Sequence, residues 1–465
     1  MSRAPTEPFD VAVIGAGVVG CALARRATLA GARVVILERG RDILSGASKG
    51  NSAMLHTGFD APTGSLELAC MQAGHREYRE ICDRLNLPLL ETGALVIAWN
   101  AAEADRLDAI VAQAHGNGVG DAQRLTREET LAREPALAPD FHGAVLVPGE
   151  CLIDPWSAPL AYVLQAIVNG AVLLRNAEVR GGYFTGDHWR LDTTQGSIMA
   201  RFVFNCAGLY GDWLDRDLLG SAAFTIRPRK GQFVVFDKAA ARVFRSIILP
   251  VPSERTKGIT LSRTVFGNVL VGPTAEEQPE RDVATVDGAQ LRALIQYAER
   301  VFPALTGMPV TAIYAGLRPA TESKEYCIIA RPERRWITVG GIRSTGLTAA
   351  LGIATHVIEL YQDAGGVNQP LAEPLWPTVP NLAEHRERDW QRPGGGEIVC
   401  HCEWVTRREI EAALAGLAPA TDLGGLKRRT RATLGRCQGF HCLGRIAALT
   451  QGRFDLPVAV GAAHG

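Results

Sequence analysis

The stretch FDVAVIGAGVVGCALARRATLAGARVVILERG, opening at Phe9, leaves the start of this chain few ways to fold. Residues 11–14 form a short apolar run of the kind buried as a parallel strand. Gly15, Gly17 and Gly20 follow with the spacing G-x-G-x-x-G. The first glycine permits a tight turn, the second lets backbone approach a pyrophosphate, and the third lets helix lie against strand. A small-residue helix over residues 22–30, with Val18 and Val19 ahead of it, aims its N-terminal amides at phosphate. The second strand, residues 34–37, ends at Glu38, 18 residues after Gly20, with Arg39 beside it. A carboxylate there accepts hydrogen bonds from both ribose hydroxyls and repels a 2′-phosphate. These features together predict a dinucleotide cradle; the plain alternative is a structural strand–helix–strand turn.

Two later segments choose the dinucleotide. RFVFNCAGLYGDWL is an apolar strand, residues 202–205, running into Ala207 and Gly208. WITVGGIRSTGLTAALGIATHVIEL is a second strand–glycine–helix unit, with Gly340, Gly341 and Gly346 ahead of a helix from about Leu347. A second helix N-terminus suits a flavin, whose reduction puts negative charge on the N1–C2=O edge of the ring. FAD is the expected cofactor.

These segments, with GASKGNSAMLHTGFDAPTGSLE, RPRKGQFVVFDK, GNVLVGPTAEE and YAGLRPATE, resemble the D-amino-acid-oxidase-like superfamily of FAD enzymes over residues 8–365. Within it they look most like the L-2-hydroxyglutarate dehydrogenase group and the catalytic A-type subunit of glycerol-3-phosphate dehydrogenases. The resemblance implies an α/β fold, with a Rossmann-like FAD-binding domain and an antiparallel-sheet substrate domain. It also implies hydride transfer from a substrate C–H to flavin N5. The cofactor contacts it implies are Ser48, Asn51, Ser52, Ala53, Met54 and Leu55 in one loop. Val179 and Gly316 join them, as do Gly341, Ser344, Thr345, Gly346, Leu347 and Thr348 at the second helix.

The same resemblance places Arg318, in GLRPAT, beside the ring, where its fork can grip a carboxylate or phosphate. Its bland alternative is an ion pair with Glu322 or Glu325. Tyr314 would add a phenolic donor or simply pack. His56, just after the flavin loop, is the natural proton acceptor for a hydroxy substrate; otherwise it is a histidine held by backbone carbonyls. Arg263 and Lys230 are further anion contacts. Phe266, in TVFGN, stands where close relatives often carry histidine, so no polar substrate contact is expected from it.

The expected division is residues 1–84, 149–223 and 311–363 for the FAD-binding domain, and 85–148 with 224–310 for the substrate domain. The latter alternates like an antiparallel sheet. Residues 364–397, rich in Pro and Gly, read as an extended linker wrapping the body and free to set the tail anywhere. Residues 398–465 would be a small helical domain that binds a cluster. In it VTRREIEAALAGL carries a Thr406–Glu409 capping box, with Ile410, Leu414 and Leu417 on one face.

That tail holds CHCEWVT and RCQGFHC, whose Cys400, Cys402, Cys437 and Cys442 can bind zinc or a 2Fe–2S cluster, or remain thiols. Structural zinc favours paired C-x-x-C knuckles, unlike this spacing. The run resembles the bacterioferritin-associated-ferredoxin-like 2Fe–2S domain, which implies all four cysteines as ligands; Thr433 stands where that family often has glycine. Lys427, Arg428, Arg429, Arg431 and Arg436 would offset the cluster's negative charge.

Lys plus Arg and Asp plus Glu balance at 49 each, so no field recruits nucleic acid. The longest apolar stretch, residues 11–24, is too short to span a bilayer. The other six cysteines are scattered, as in a reducing compartment. The expectation is a cytoplasmic enzyme, docked peripherally at the inner membrane if at all, through a partner. It would oxidise a small anionic 2-hydroxy acid or glycerol 3-phosphate. Electrons would leave singly through the cluster to an electron-acceptor protein or quinone-linked partner. The rival substrates are amino acids or secondary amines. The rival class is a flavin/iron–sulfur redox sensor, which would need a closed substrate site.

Overall fold

The computed structural model describes residues 7–252, 258–394 and 396–458. The expected domain ends at 1–6 and 459–465, and residues 253–257 of the substrate unit, lie outside the described residues.

The first sheet has β1 (Phe9–Ile14) at its centre, paired in parallel with β2 (Val34–Leu37) and with Gly196–Asn205. The helix α1 (Val18–Leu29) crosses from β1 to β2. The order runs Val179–Phe184, Trp189–Thr193, Gly196–Asn205, β1, β2, Val172–Leu174, while Trp336–Gly340 also pairs with Gly196–Asn205 and carries Cys327–Arg331 on its other side. Both faces are buried, which explains the unbroken apolar runs. Val11, Val13, Val34 and Ile36 face one core with α1, while Ala12, Val35, Val203 and Trp336 face another. Helices Leu66–Ile81 and Gly346–Asp363 pack in the first core at backbone contact. A Cβ on Gly74 would meet the Thr348 carbonyl at 2.0 Å, and one on Gly352 the Cys70 carbonyl at 2.1 Å.

A nine-stranded sheet builds the second unit. Two expectations change here. The pair Ile247–Pro250 with Ala94–Ala98 is parallel, inside a sheet expected to be antiparallel. Strand Val310–Thr321, assigned to the FAD-binding domain, pairs along almost its whole length with Ile226–Phe236 in this second sheet. Its residues 316–320 therefore reach the first unit from the roof rather than from its own sheet.

The tail packs its own small core around Val399, Val405, Ile410 and Ile446. The Thr406–Glu409 capping box opens helix Arg407–Ala415, and Ile410 and Leu414 are buried. Leu417 lies beyond the helix end and is 60% exposed, so it does not share that face.

Residues 364–397 do wrap the body, but they do not leave the tail free. Gln369 and Leu371 bond to the end of α1, Val379 to the Leu85 carbonyl and Glu384 to the Val265 carbonyl. The tail itself is pinned to both units. Arg429 reaches Asp42 and Arg428 the Ile43 carbonyl in the first. Arg436 reaches Asp237 and Arg431 reaches Asn268 in the second. Of these guanidiniums, expected to offset a cluster, Arg429 and Arg436 meet carboxylates of the body, Arg428 a backbone carbonyl and Arg431 an amide oxygen, while Arg436 also lies within electrostatic reach of Cys402. Gly425 makes room: a Cβ there would fall 1.7 Å from Asp42 Oδ2. Among the described residues, no helix is long and apolar enough to cross a membrane.

Candidate active site and cysteine cluster

One cavity of about 540 Å³ runs from Glu38 at the end of β2 to Arg318 under the second sheet. Its floor is the glycine turn. Gly15 has φ +104°, and a Cβ on Gly20 would sit 1.9 Å from the Gly15 carbonyl, so only glycine allows helix and strand to approach this closely. Glu38 accepts from the Ala16 and Gly40 amides at 2.7 Å each, which fixes its carboxylate at the cavity wall. Val18, Val19, Arg39, Ser48, Asn51, Ser52, Val179, Ala207 and Gly208 line the cavity. At the other end so do Gly316, Gly341, Ser344, Gly346 and Leu347. Glycine turn, fixed acid and second helix start fit FAD.

Some expected contacts fall outside the wall. Ala53 lies beyond the lining, while Met54 and Leu55 are occupied in a strand pair with Cys151–Ile153. The Thr345 hydroxyl meets Tyr326 at 2.6 Å and donates to Glu67 at 2.7 Å. The Thr348 hydroxyl accepts from the His56 amide and donates to the Met54 carbonyl. Thr348 thus staples the loop to the helix, Thr345 ties the helix start to Tyr326 and Glu67, and neither residue lines the cavity.

Arg318 lines the cavity, held by the carbonyls of Arg229, Lys230 and Thr274 at 3.3, 3.1 and 2.7 Å. Among the described residues no ion pair joins it to Glu322 or Glu325; Glu322 accepts from the Thr225 amide. Burial, with the guanidiniums of Arg229 and Arg343 nearby, pulls its pKa down to about 10. Arg343, also on the cavity wall, is lowered by burial and by Arg229. A site that concentrates positive charge in this way is built for an anion. Sequence reasoning missed Arg343, although its place in GGIRSTG, between two wall glycines, was a usable signal. Lys230 pairs with Glu276 at 3.1 Å, and Arg229 with Glu277 at 2.9 Å.

Tyr314 donates its hydroxyl to the Asn51 carbonyl at 2.8 Å and stacks on Phe233, outside the cavity wall. Burial raises its pKa. His56 also lies off the wall; its Nδ1 meets Glu150 Oε2 at 2.7 Å. Glu150 is fully buried and accepts from the Thr57 amide and hydroxyl as well. Glu150, in the unpatterned segment PGECLID, carried no sequence signal. Arg263 and Phe266 are not on the wall, and Phe266 is buried.

In the tail the four thiols converge. Cys402 contacts Cys437, and Cys400 contacts Cys442. Amides of His441, Gly439 and Phe440 donate to the Cys437 sulfur and hold its pKa below the usual thiol value; the Thr433 amide donates to Cys442. Thr433 and Gln438 adopt φ of +69° and +50°, which turns the backbone amides inward and explains a preference for glycine at the first. No group of three or more His, Cys, Asp or Glu is drawn tight enough to hold a lone metal ion among the described residues. Two facing thiol pairs within a nest of amides fit a 2Fe–2S cluster.

Residues 10–360 match the family described as FAD dependent oxidoreductase, and residues 398–451 the BFD-like [2Fe-2S] binding domain. The chain is 30% identical to a glycerol 3-phosphate dehydrogenase of Caloramator mitchellensis, with 94% of this chain and 93% of that one covered. It is 26% identical to the A-type subunit of the anaerobic glycerol-3-phosphate dehydrogenase of Escherichia coli K12, covering 98% and 90%. Among solved structures it is similar to the dithionite-reduced L-alpha-glycerophosphate oxidase of Mycoplasma pneumoniae with FAD bound. That match has a TM-score of 0.74 and 26% identity, and covers 81% of this chain and all of that one.

Proposed function

Because the chain belongs to the FAD dependent oxidoreductase family, we propose that it oxidises the secondary alcohol of glycerol 3-phosphate to a ketone and exports the electrons through its tail. The FAD supplies a two-electron acceptor and the 2Fe–2S cluster a one-electron carrier, so the chain converts paired electrons into single ones. Arg318 and Arg343 bind the phosphate, Arg318 through its Nη1 group, because three carbonyls already take its Nε and Nη2 protons and hold the guanidinium in place. His56 lies off the wall, so it takes the hydroxyl proton by relay through a water rather than by direct contact. With Nδ1 donating to the buried Glu150 carboxylate, the ring is held in one tautomer and the resulting imidazolium is stabilised. The nine-stranded sheet roofs the cavity and excludes water.

The observation that carries this reading is the wall that puts Arg318 and Arg343 within electrostatic reach of Arg229. A dianionic phosphate calls for that density of charge more than a single carboxylate does. The likeness to glycerol 3-phosphate dehydrogenases over both body and tail supports it. Export to a separate acceptor protein, at or away from a membrane, follows from the attached cluster, which an enzyme handing electrons straight to O₂ does not need. The test is anaerobic bleaching of the bound flavin by glycerol 3-phosphate, glycerol, L-2-hydroxyglutarate and sarcosine. Bleaching fastest with glycerol 3-phosphate supports the reading; bleaching by sarcosine instead, with none by glycerol 3-phosphate, sinks it.

A further inference from the structure

A line of contacts through two aromatic rings and a guanidinium runs from the wall of the cofactor cavity to the residue beside Cys402. Lys49 belongs to the cavity wall, and its carbonyl accepts from the Trp156 indole Nε1 at 3.2 Å. The Trp156 ring stacks on Phe266, with centroids 5.7 Å apart and planes 14° from parallel. On Phe266 lies the Arg431 guanidinium, its Cζ 4.0 Å from the ring centroid. Arg431 Nε in turn donates to Glu403 Oε2 at 2.7 Å, and Glu403 is the neighbour of Cys402. Phe266, Arg431 and Glu403 are each less than 5% exposed, so the half of the line nearer the cysteines runs through packed protein, while Trp156 is half-buried.

Trp156, Phe266 and Arg431 lie off the cavity wall, and although Arg431 also meets Asn268, the ring stack is not required to staple the tail to the body. The docking pairs at Asp42 and Asp237 already do that. Other bridges near the cysteines, Gln438 to the Thr311 carbonyl, Arg436 to Asp237 and Lys238 to Glu403, carry no aromatic ring toward the cavity. Electronic coupling decays faster across gaps than through stacked rings and hydrogen bonds, so a stack that spans the domain boundary is the shorter electronic path.

We propose that Trp156, Phe266 and Arg431 form the route by which electrons pass from the flavin cavity to the cluster. This rests on the reading of the cluster as an exporter. Each transfer moves one electron from the reduced flavin to the oxidised cluster, and the proton that arrived with the hydride leaves to solvent by the time the second electron has gone. The second electron follows once an external one-electron acceptor has reoxidised the cluster.

The experiment compares wild type, Phe266→Leu and Phe266→Tyr as holoenzymes without oxygen. The flavin is reduced in one arm by light with EDTA and in the other by glycerol 3-phosphate. Flavin absorbance and the EPR signal of the reduced cluster are followed in time. Phe266→Leu should slow cluster reduction about tenfold or more, with flavin reduction, FAD and iron content unchanged, while Phe266→Tyr keeps the wild-type rate. Cluster reduction at the wild-type rate in Phe266→Leu, or equal slowing in Phe266→Tyr, overturns the route. Should Phe266→Leu lose iron, Phe266→Met keeps the volume without the ring and gives the same comparison. Flavin reduced by light but not by glycerol 3-phosphate counts against the substrate alone, and the light arm still decides the route.

Discussion

Arg429 grips Asp42 with both prongs, at 2.7 and 2.8 Å, across 387 residues of chain. The carboxylate is fully buried and the guanidinium nearly so. Asp42 follows shortly after Glu38, in the loop that closes the ribose end of the cavity, so this pair couples cluster-domain docking to the cofactor loop. Removing one partner leaves a buried, unpaired charge. Asp42→Asn should therefore cost about 3–5 kcal/mol, read as a fall in thermal midpoint with easier FAD loss. Asp42→Leu combined with Arg429→Met, which removes both charges, should recover much of it.

Arg318→Met should lower kcat/KM for glycerol 3-phosphate by about two orders of magnitude while FAD content is retained. The native residue also predicts a pH dependence. Its pKa is depressed to about 10 by burial and the nearby guanidiniums, so its charge is full below that value and lost above it. KM should be flat through neutral pH and rise about tenfold per unit once the free arginine titrates. An Arg318→Met enzyme with wild-type KM and kcat for glycerol 3-phosphate would remove Arg318 from phosphate binding.

Glu150→Gln should reduce kcat by about a hundredfold and leave KM and FAD content close to wild type. The neutral amide can still meet His56 Nδ1, but it cannot stabilise the imidazolium. Stopped-flow flavin reduction at saturating substrate reads this directly.

Acid should loosen the tail. Burial raises Asp237, but Arg436 and the Ala239 amide more than reverse it, so its pKa is net lowered. Glu403 behaves alike: burial raises it, and Arg431 and Lys238 bring it down. A carboxylate with a depressed folded pKa stabilises fully above its unfolded value, about 4, and loses that contribution as pH falls through the folded value. Protease cleavage between body and tail should therefore accelerate only below about pH 4.

Cys437→Ser should abolish the cluster's visible absorbance and leave substrate-dependent flavin bleaching intact, because the tail meets the body through side chains other than the ligands. Reduction of a one-electron protein acceptor should fall with the cluster.

Local chemistry was legible in the residues; what joins distant segments was not. The spacing of Gly15, Gly17 and Gly20 with Glu38 specifies one turn, because only glycine fits against the Gly15 and Cys206 carbonyls. The Thr406–Glu409 capping box and the four cysteines are similarly short-range. Docking depends on Asp42 and Asp237, ordinary loop acids whose partners lie far along the chain. The same holds for His56, whose partner Glu150 is 94 residues away. The strand Val310–Thr321 misleads because its glycine and arginine face the cavity while its pairing lies with the roof. A linker rich in Pro and Gly looks mobile in sequence, yet buried Val379, Leu382 and Ala383 hold it down.

The most direct measurement is a single anaerobic addition of glycerol 3-phosphate to the holoenzyme, with flavin absorbance and cluster EPR recorded on the same sample. The account predicts that the flavin bleaches first and that the reduced-cluster signal then grows at the flavin's expense. Rapid flavin bleaching with no cluster signal at any time would contradict export through the tail.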